Sequence, residues 1–167
     1  MQKTIFLLLM ALFLGFTSCK EDQMPVAKTS DFKAEMNDES WTSTTTWANY
    51  SQEENTFYLN AAKYDARYYS DEQLSISFEL QDFTKPTTIT TFSSKLYSII
   101  GGEGEPRAYY MDASANNHIQ ITAVDSNRKT ISGSFKIKLI ANDIQNETGK
   151  SVQYVVGRFS FEYNEIE

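Results

Sequence analysis

The chain has 167 residues, with one cysteine and one histidine, and carries a formal net charge of −7 at pH 7. This acidic balance argues against nucleic acid as a partner, because affinity for nucleic acid rests largely on basic contacts to phosphates. It also argues against electrostatic attachment to an anionic membrane surface. A single cysteine excludes a disulfide within the chain, and together with one histidine it leaves too few ligands for a typical zinc site. The length fits one domain.

The first nineteen residues predict a cleaved export signal. Lys3 gives a short positive start, and the apolar run Ile5–Phe16 follows it. This run is shorter than the roughly 20 apolar residues that a membrane-spanning helix needs. The segment Phe16-Thr17-Ser18-Cys19 resembles the bacterial lipobox, which implies cleavage before the cysteine and acylation of its sulfur and new amino group. We therefore expect residues 1–18 to be a lipoprotein signal peptide and Cys19 to carry the lipid.

Residues 19–31 are expected to form the lipidated N-terminus and a flexible tether to the folded domain. They are mostly polar, include Met24-Pro25, and show no hydrophobic period. Directly after the cysteine, Lys20-Glu21-Asp22 resembles a signal for display on the outer face of the outer membrane in the Bacteroidota. The alternative is an ordinary solvated linker. We expect an exported outer-membrane lipoprotein, on either the periplasmic face or the cell surface, that contacts the membrane through its N-terminal lipid.

From Phe32 onward, apolar residues alternate with polar ones, which predicts half-buried β-strands. In the clearest case, Thr130–Leu139, the face with Phe135 is apolar and the face with Lys136 is polar. We find no convincing apolar stripe of helical spacing longer than two turns. The pattern predicts about nine strands, at Phe32–Met36, Trp41–Trp47, Phe57–Ala61, Leu74–Leu80, Thr87–Phe92, Ala108–Met111, Ile119–Ala123, Thr130–Leu139 and Val155–Tyr163.

Short connections predict that neighbouring strands pair in antiparallel order, since a parallel pair needs a longer crossover. Asn37-Asp38-Glu39 and Asp125-Ser126-Asn127 contain residues that tolerate the positive φ of a tight hairpin turn. Gly133 and Gly157 fall at core-facing positions, which indicates a bend or room for a bulky neighbour. We predict one all-β domain over residues 32–167, folded as an antiparallel β-sandwich or a flattened lipocalin-like barrel.

Three short motifs stand out along the domain. They are Phe32-x-Ala34-x-x-Asn37-x-x-x-Trp41, Thr130-Ile131-Ser132-Gly133-Ser134-Phe135, and Gly157-x-Phe159-x-x-x-Tyr163. These motifs resemble a family of small Bacteroidota lipoproteins that share a domain of unknown function. The resemblance implies an all-β lipoprotein and names no activity or functional residue. In that family the first hairpin commonly turns on Asn-Gly, whereas Asp38 replaces the glycine here, so a looser turn is expected.

The motifs present do not indicate a catalytic or metal site. His118 lies on the polar side of its strand, where it could orient a serine, but no nucleophile-elbow pattern accompanies it. The adjacent acids Glu53-Glu54 and Asp71-Glu72 are expected to be solvated loop residues. Oxygen ligands at Asp125-Ser126-Asn127 and Asn142-Asp143 would suit calcium, yet neither has the full loop spacing, so hairpin turns explain them better. We predict no catalytic residue, no metal and no cofactor.

The tyrosines carry the one hint of a ligand. Consecutive strand residues point to opposite faces, so Tyr109 and Tyr110 cannot both be buried. Tyr68-Tyr69 falls in a predicted loop. Trp41 and Trp47 are expected to share the core-facing side of one strand. Exposed aromatic rings suit stacking on sugars or contact with a protein, and the candidate ligand-binding residues are Tyr68, Tyr69, Tyr109 and Tyr110.

These features predict a non-enzymatic, lipid-anchored envelope protein that binds a glycan or an envelope protein, or that has a structural role. The alternative is a lipocalin-like carrier, because a closed barrel of about eight strands can enclose a small apolar ligand. An empty apolar interior would favour the carrier, whereas two facing sheets filled by side chains would favour the binding module. A hydrolase would need converging carboxylates in a cleft or a serine beside His118. No oligomeric state is indicated.

Overall fold

A computed structural model describes residues 30–66, 70–99, 107–141 and 152–167. Within these ranges the chain forms eleven β-strands, which confirms the predicted all-β class. The strands are β1 (Asp31–Met36), β2 (Glu39–Thr42), β3 (Thr45–Ser51), β4 (Thr56–Asp65), β5 (Ser70–Glu79), β6 (Thr87–Ile89), β7 (Ser93–Ile99), β8 (Arg107–Met111), β9 (His118–Asp125), β10 (Thr130–Ala141) and β11 (Val152–Ile166).

All eleven strands belong to one mixed sheet with the order β2-β1-β11-β3-β4-β5-β7-β8-β10-β9-β6. An additional pairing joins β10 to β11 along their length. This pairing closes seven strands, from β11 through β3, β4, β5, β7 and β8 to β10, into a partial ring. The β1–β2 hairpin extends the sheet beside β11, and β9 with β6 extends it beside β10. The sheet is therefore not a clean barrel.

The two longest strands explain why the ring is partial. β11 has 15 residues, and the edge that faces away from β10 pairs first with β1 over Val155–Ser160 and then with β3 over Tyr163–Ile166. β10 has 12 residues and pairs in the same divided way, with β9 over Thr130–Lys136 and with β8 over Leu139–Ala141. One part of each long strand therefore pairs with a strand of the ring, and the other part pairs with a strand of an extension.

The pairing of β3 with β11 is parallel, so the predicted fully antiparallel order is wrong at this point. β2 runs antiparallel to β1, and β1 runs antiparallel to β11. β2 consequently points the same way as β11. After a break at Ser43-Thr44, β3 runs in the same direction as β2 and lies beside the end of β11. The other pairings between the described strands are antiparallel.

The break at Ser43-Thr44 also corrects the prediction of one strand over Trp41–Trp47, which is two strands. Trp41 on β2 is 3% exposed, whereas Trp47 on β3 is 37% exposed. The expectation that both rings face the core is therefore wrong. The alternation rule holds within one strand, and the two tryptophans do not share one.

β7 is the strand that the apolar pattern does not predict. Its inward-facing positions are Ser94, Leu96 and Ser98, all of them buried. Because two of these three side chains are serines, the inward face is not marked by apolar residues. With the split of the second predicted strand, this strand accounts for the difference between about nine strands predicted and the eleven found.

The core is one cluster of buried apolar side chains, and β10 and β11 supply much of it as predicted. Phe135 and Tyr163 are each 2% exposed, while Lys136 is exposed. Aromatic rings pack closely in this core. The ring centroids of Phe32 and Phe135 are 5.6 Å apart, and those of Phe57 and Tyr163 are 5.1 Å apart.

The two predicted hairpin turns form. Asn37 and Asp38 have φ values of 52° and 67°, the pair of positive angles that a tight two-residue hairpin turn requires. The Asn37 side-chain oxygen accepts a bond of 2.9 Å from the backbone N–H of Tyr154, which connects this turn to β11. At the second turn, Asp125 accepts bonds from the backbone N–H groups of Asn127 and Arg128, both 3.0 Å.

Candidate functional site

Most of the predicted site residues fall outside the part of the chain that the structure describes. These are Cys19, Lys20, Glu21, Asp22, Tyr68 and Tyr69. Tyr109 and Tyr110 lie on β8, where Tyr109 is 4% exposed and Tyr110 is 40% exposed. The predicted alternation is confirmed. Tyr109 does not reach the outer surface of the ring, so of this pair only Tyr110 can contact a ligand there.

Tyr110 belongs to a row of outward-facing residues that crosses the partial ring. From β3 to β8, the register partners in this row are Trp47, Asn60, Ser75, Lys95 and Tyr110. The row continues to Ile140 on β10 and Val152 on β11. Neighbouring strands lie about 4.8 Å apart, so Trp47 and Tyr110, which are four strands apart, are separated by about 19 Å along the sheet.

Two residues of the adjacent row lie next to these side chains on the same face. Gln73 on β5 and Tyr97 on β7 are register partners, and each lies two positions from its neighbour in the first row. We use the term outer band for the residues of both rows that lie on β3, β4, β5, β7 and β8. They are Trp47, Asn60, Gln73, Ser75, Lys95, Tyr97 and Tyr110.

Lys95 joins the two tyrosines of the outer band. Its Nζ atom lies 4.0 Å from the ring centroid of Tyr97 and 4.8 Å from that of Tyr110. The amine also donates a hydrogen bond to the Tyr97 hydroxyl. This bond, with a smaller contribution from Tyr110, raises the pKa of Lys95 above its ordinary value. The group therefore stays cationic at neutral pH and holds two rings that are 41% and 40% exposed.

A cluster of polar side chains separates these rings from Trp47. The Ser75 hydroxyl donates a bond of 2.8 Å to the side-chain carbonyl of Asn60. The amide nitrogen of Gln73 lies 3.5 Å from that same carbonyl and 3.5 Å from the Ser75 oxygen. These bonds orient the cluster and use the Asn60 carbonyl. The Asn60 N–H groups and the Gln73 carbonyl form no further bond to the described residues, so they are donors and acceptors toward a ligand.

The outer band offers non-covalent chemistry. Its rings supply apolar faces, its amides supply hydrogen-bond donors and acceptors, and Lys95 supplies one positive charge. The candidate catalytic groups lie elsewhere. His118 is half-buried at the start of β9 opposite Lys136. Among the described residues, no group of three His, Cys, Asp or Glu side chains could hold a metal ion.

One acidic pair differs from its prediction. Asp71 and Glu72 lie on β5 and not in a loop. The Glu72 carboxylate accepts a bond of 2.8 Å from the indole N–H of Trp41. Glu53-Glu54 lies in the turn between β3 and β4, where Glu54 accepts a bond from the Tyr58 hydroxyl. Asn142-Asp143 lies outside the described ranges. No helix within those ranges is long and apolar enough to cross a membrane.

A groove of about 810 Å³ runs along the β1–β2 hairpin and the start of β3. Its lining is rich in hydroxyl groups from residues 42–46 and includes the charged side chains of Lys33 and Arg158. Its tryptophan, Trp41, is only 3% exposed. The groove therefore offers hydrogen bonds but little of the ring surface that the outer band presents.

Sequence reasoning identifies one residue of the outer band, Tyr110. The others come from four further strands, and only the register between strands brings them together. Trp47 and Tyr97 could have been found if the break after Trp41 and the strand Ser93–Ile99 had been recognised. Comparison with protein-family models, curated proteins and solved structures finds no match for this chain. The resemblance to small Bacteroidota lipoproteins stays a prediction.

Proposed function

We propose that this protein is a non-enzymatic, lipid-anchored envelope protein whose outer band binds an oligosaccharide. The observation that carries the proposal is the arrangement of exposed rings and amide groups over five adjacent strands. Trp47 lies at one end of the band, and Tyr97 and Tyr110 lie at the other. Asn60 and Gln73 lie between them.

Each group of the band matches a part of a sugar. A tyrosine or tryptophan ring packs against the C–H face of a pyranose, and amides exchange hydrogen bonds with its hydroxyls. The mutual bonds of Asn60, Gln73 and Ser75 hold these side chains in place before a ligand arrives. Such preorganisation lowers the entropy cost of binding. The distance of about 19 Å from Trp47 to Tyr110 follows the curved outer surface of the partial ring, so a chain of sugars that contacts both ends would bend around the ring.

A protein partner fits the outer band less well. The centre of a typical protein interface is apolar and depleted of charge. The centre of the outer band is made of Asn60, Gln73 and Ser75, beside the cationic Lys95. The polar centre between aromatic ends therefore favours a glycan as the ligand.

The carrier alternative lacks support from the interior of the ring. The ring centroid of Phe57 lies 4.7 Å from Tyr50, 5.7 Å from Phe78 and 5.1 Å from Tyr163. Packed rings here occupy space that an apolar ligand would need. We also propose that the sheet folds into two facing layers in the manner of a sandwich. The hydrogen bond from Trp41 on β2 to Glu72 on β5 supports this, because these strands are far apart in the sheet order.

The anchoring part of the proposal rests on the sequence. Acylation of Cys19 would hold the chain at the membrane, and residues 20–30 would separate the outer band from the lipid surface. Lys20-Glu21-Asp22 would direct the protein to the cell surface. A surface position would give the outer band access to glycans outside the cell.

A glycan array with the soluble domain, residues 26–167, tests the proposal. The double variant Tyr97→Ala, Tyr110→Ala should bind the best array ligand about tenfold more weakly, since each ring contributes about 0.5–1.5 kcal/mol. Its melting temperature should change little, because both rings are exposed. Tyr154→Ala is the matched control, since this ring is 53% exposed and lies outside the outer band.

Two results would contradict glycan binding by the outer band. The first is equal loss of affinity in the double variant and in Tyr154→Ala. The second is an array without ligands together with a pull-down from envelope extracts that yields a protein partner whose binding requires Tyr97 and Tyr110. That outcome would replace the glycan with a protein.

A further inference from the structure

A second site lies at one end of the partial ring, away from the outer band. It is a cleft of about 430 Å³. Four side chains from consecutive ring strands form one wall, namely Lys63, Glu72, Ser98 and Arg107, which are register partners on β4, β5, β7 and β8. The β1–β2 hairpin and β11 form the opposite wall with Asn37, Trp41 and Gln153.

The Glu72 carboxylate in this cleft already has two partners. Its Oε2 atom accepts the 2.8 Å bond from the indole N–H of Trp41. The Nζ atom of Lys63 lies 3.9 Å from the same oxygen. A buried or half-buried carboxylate needs such partners to remain charged. Glu72 therefore does not neutralise a further cation in the cleft.

Arg107 is the other cation of the cleft, and it forms no ion pair with Glu72. Among the described residues, no carboxylate lies within ion-pair distance of Arg107. Its neighbour Ser98 is 6% exposed and lines the cleft. Across the cleft, the Gln153 carbonyl accepts a bond of 2.6 Å from the Asn37 amide, and the Gln153 N–H groups are donors that no described residue uses.

From these donors we infer that the cleft binds a small hydroxylated carboxylate, such as a uronic acid, with its carboxylate on Arg107 and Ser98. The guanidinium of arginine pairs with carboxylates in a planar, two-bond geometry. The lining contains two cations and the carboxylates of Glu39 and Glu72. These two carboxylates repel a doubly charged phosphate more strongly than a ligand with a single carboxylate, so the lining favours the singly charged ligand.

The rest of the lining is polar, which predicts that the ligand carries hydroxyl groups. Trp41 is 3% exposed and Tyr109 is 4% exposed, so the aromatic rings below the cleft offer little apolar contact. Lys63, Asn37 and Gln153 offer hydrogen-bonding groups instead. The volume of about 430 Å³ accommodates a ligand of monosaccharide size.

Isothermal titration calorimetry of the full chain with glucuronate tests this site. Saturable binding is expected, with glucose, which lacks the carboxylate, and inorganic phosphate both binding more weakly. Arg107→Gln should weaken glucuronate binding about tenfold or more, as expected for loss of a charged hydrogen-bonding partner. Glu39→Gln should strengthen it, because the substitution removes a like charge from the lining. Arg158→Gln, which changes an exposed arginine outside the cleft, should leave it unchanged.

The inference is overturned if glucuronate does not bind, or if Arg107→Gln and Arg158→Gln have equal effects. Phosphate or glucose binding as tightly as glucuronate would also overturn it. The Tyr97→Ala, Tyr110→Ala variant should bind glucuronate as the unchanged protein does. This comparison separates a failure of the cleft from a failure of the outer band.

Discussion

The ring of Phe135 occupies the space that a side chain at Gly157 would need. The two residues are register partners on β10 and β11. A Cβ atom at Gly157 would lie 2.6 Å from Cζ of Phe135 and 2.7 Å from the carbonyl oxygen of Lys33. The neighbouring pair repeats the arrangement in the opposite sense, because a Cβ at Gly133 would lie 2.9 Å from Cζ of Phe159. Each glycine makes room for a phenylalanine on the other strand.

Gly157→Ala should therefore destabilise the domain by about 1–3 kcal/mol, the usual cost of overpacking a core. Equilibrium unfolding in urea would measure this change. Val156→Ala is the control at the next position, where the side chain is 48% exposed, and it should cost under about 0.5 kcal/mol. Adding Phe135→Leu to the Gly157→Ala variant should restore only part of the lost stability, since the new Cβ atom still lies too close to the Lys33 carbonyl oxygen. Equal stability of the two single variants would refute this account of Gly157.

Phe135→Ala should cost about 3–5 kcal/mol, because it removes a buried ring and leaves a cavity. Lys136→Ala, on the opposite face of β10, should cost under about 0.5 kcal/mol. Chemical denaturation of both variants gives the comparison. Equal costs would mean that the register of β10 is shifted by one residue, since such a shift exchanges the two faces of a strand.

Stability at low pH should depend on Asp112. Its carboxylate lies 2.8 Å from the Lys138 amine and accepts two bonds from Ser114, and these contacts lower its pKa from 3.8 to about 2. The folded state therefore holds this proton less tightly than the unfolded state. The resulting stabilisation is complete above the ordinary pKa of the carboxyl and is lost as the pH falls through about 2.

Melting temperatures recorded between about pH 5 and pH 2 would test this expectation. Asp112→Asn should flatten the acid loss of stability, and Lys138→Gln should flatten it in part. Asp82, whose pKa is also lowered to about 2 by Thr84 and then Lys85, should preserve some of the slope in both variants. Identical pH profiles for the unchanged protein and Asp112→Asn would contradict the assignment.

Anchoring should depend on Cys19, the single cysteine of the chain. Metabolic labelling with a fatty-acid analogue should mark the unchanged protein, and Cys19→Ser should abolish the label and release the protein from membranes. This variant keeps the apolar run Ile5–Phe16, so it should still be exported. Loss of the label would then reflect loss of the acylated cysteine and not loss of export. An unlabelled protein in its native membrane would disprove lipidation.

Surface display should depend on Lys20-Glu21-Asp22. Protease added to intact cells should remove the domain, and replacement of all three residues by alanine should make the domain resistant until the cells are lysed. Labelling at Cys19 should persist in this variant. Protection of the unchanged protein in intact cells would place it on the periplasmic face.

The sequence allowed the central strands to be predicted well, because burial there follows a strict period of two. From Ile131 to Ala141 in β10 and from Val155 to Tyr163 in β11, every second residue is apolar or glycine, and the structure places that face inward. β7 and the β2–β3 break were less predictable. Ser94 and Ser98 face inward without an apolar signal, and Ser43-Thr44 interrupts a run that would otherwise read as one strand.

The candidate site was far less predictable than the fold. Tyr110 could be assigned from alternation, but its neighbours Lys95 and Asn60 are brought near it by strand order and register. Neither property follows from local propensity. The role inferred for Arg107 in the cleft likewise depends on the hydrogen bond between Trp41 and Glu72, which joins residues from distant strands of the sheet.

The position of β11 affects when the domain can fold. β11 is the last of the described strands along the chain, yet it lies between β1 and β3 and also pairs with β10. A chain that emerges N-terminus first during synthesis therefore exposes unpaired edges on β1 and β3 until β11 follows. Such edges attract other chains and proteases. The sheet is thus completed only after nearly all of the described chain has emerged, and a product truncated before β11 should be degraded and not accumulate.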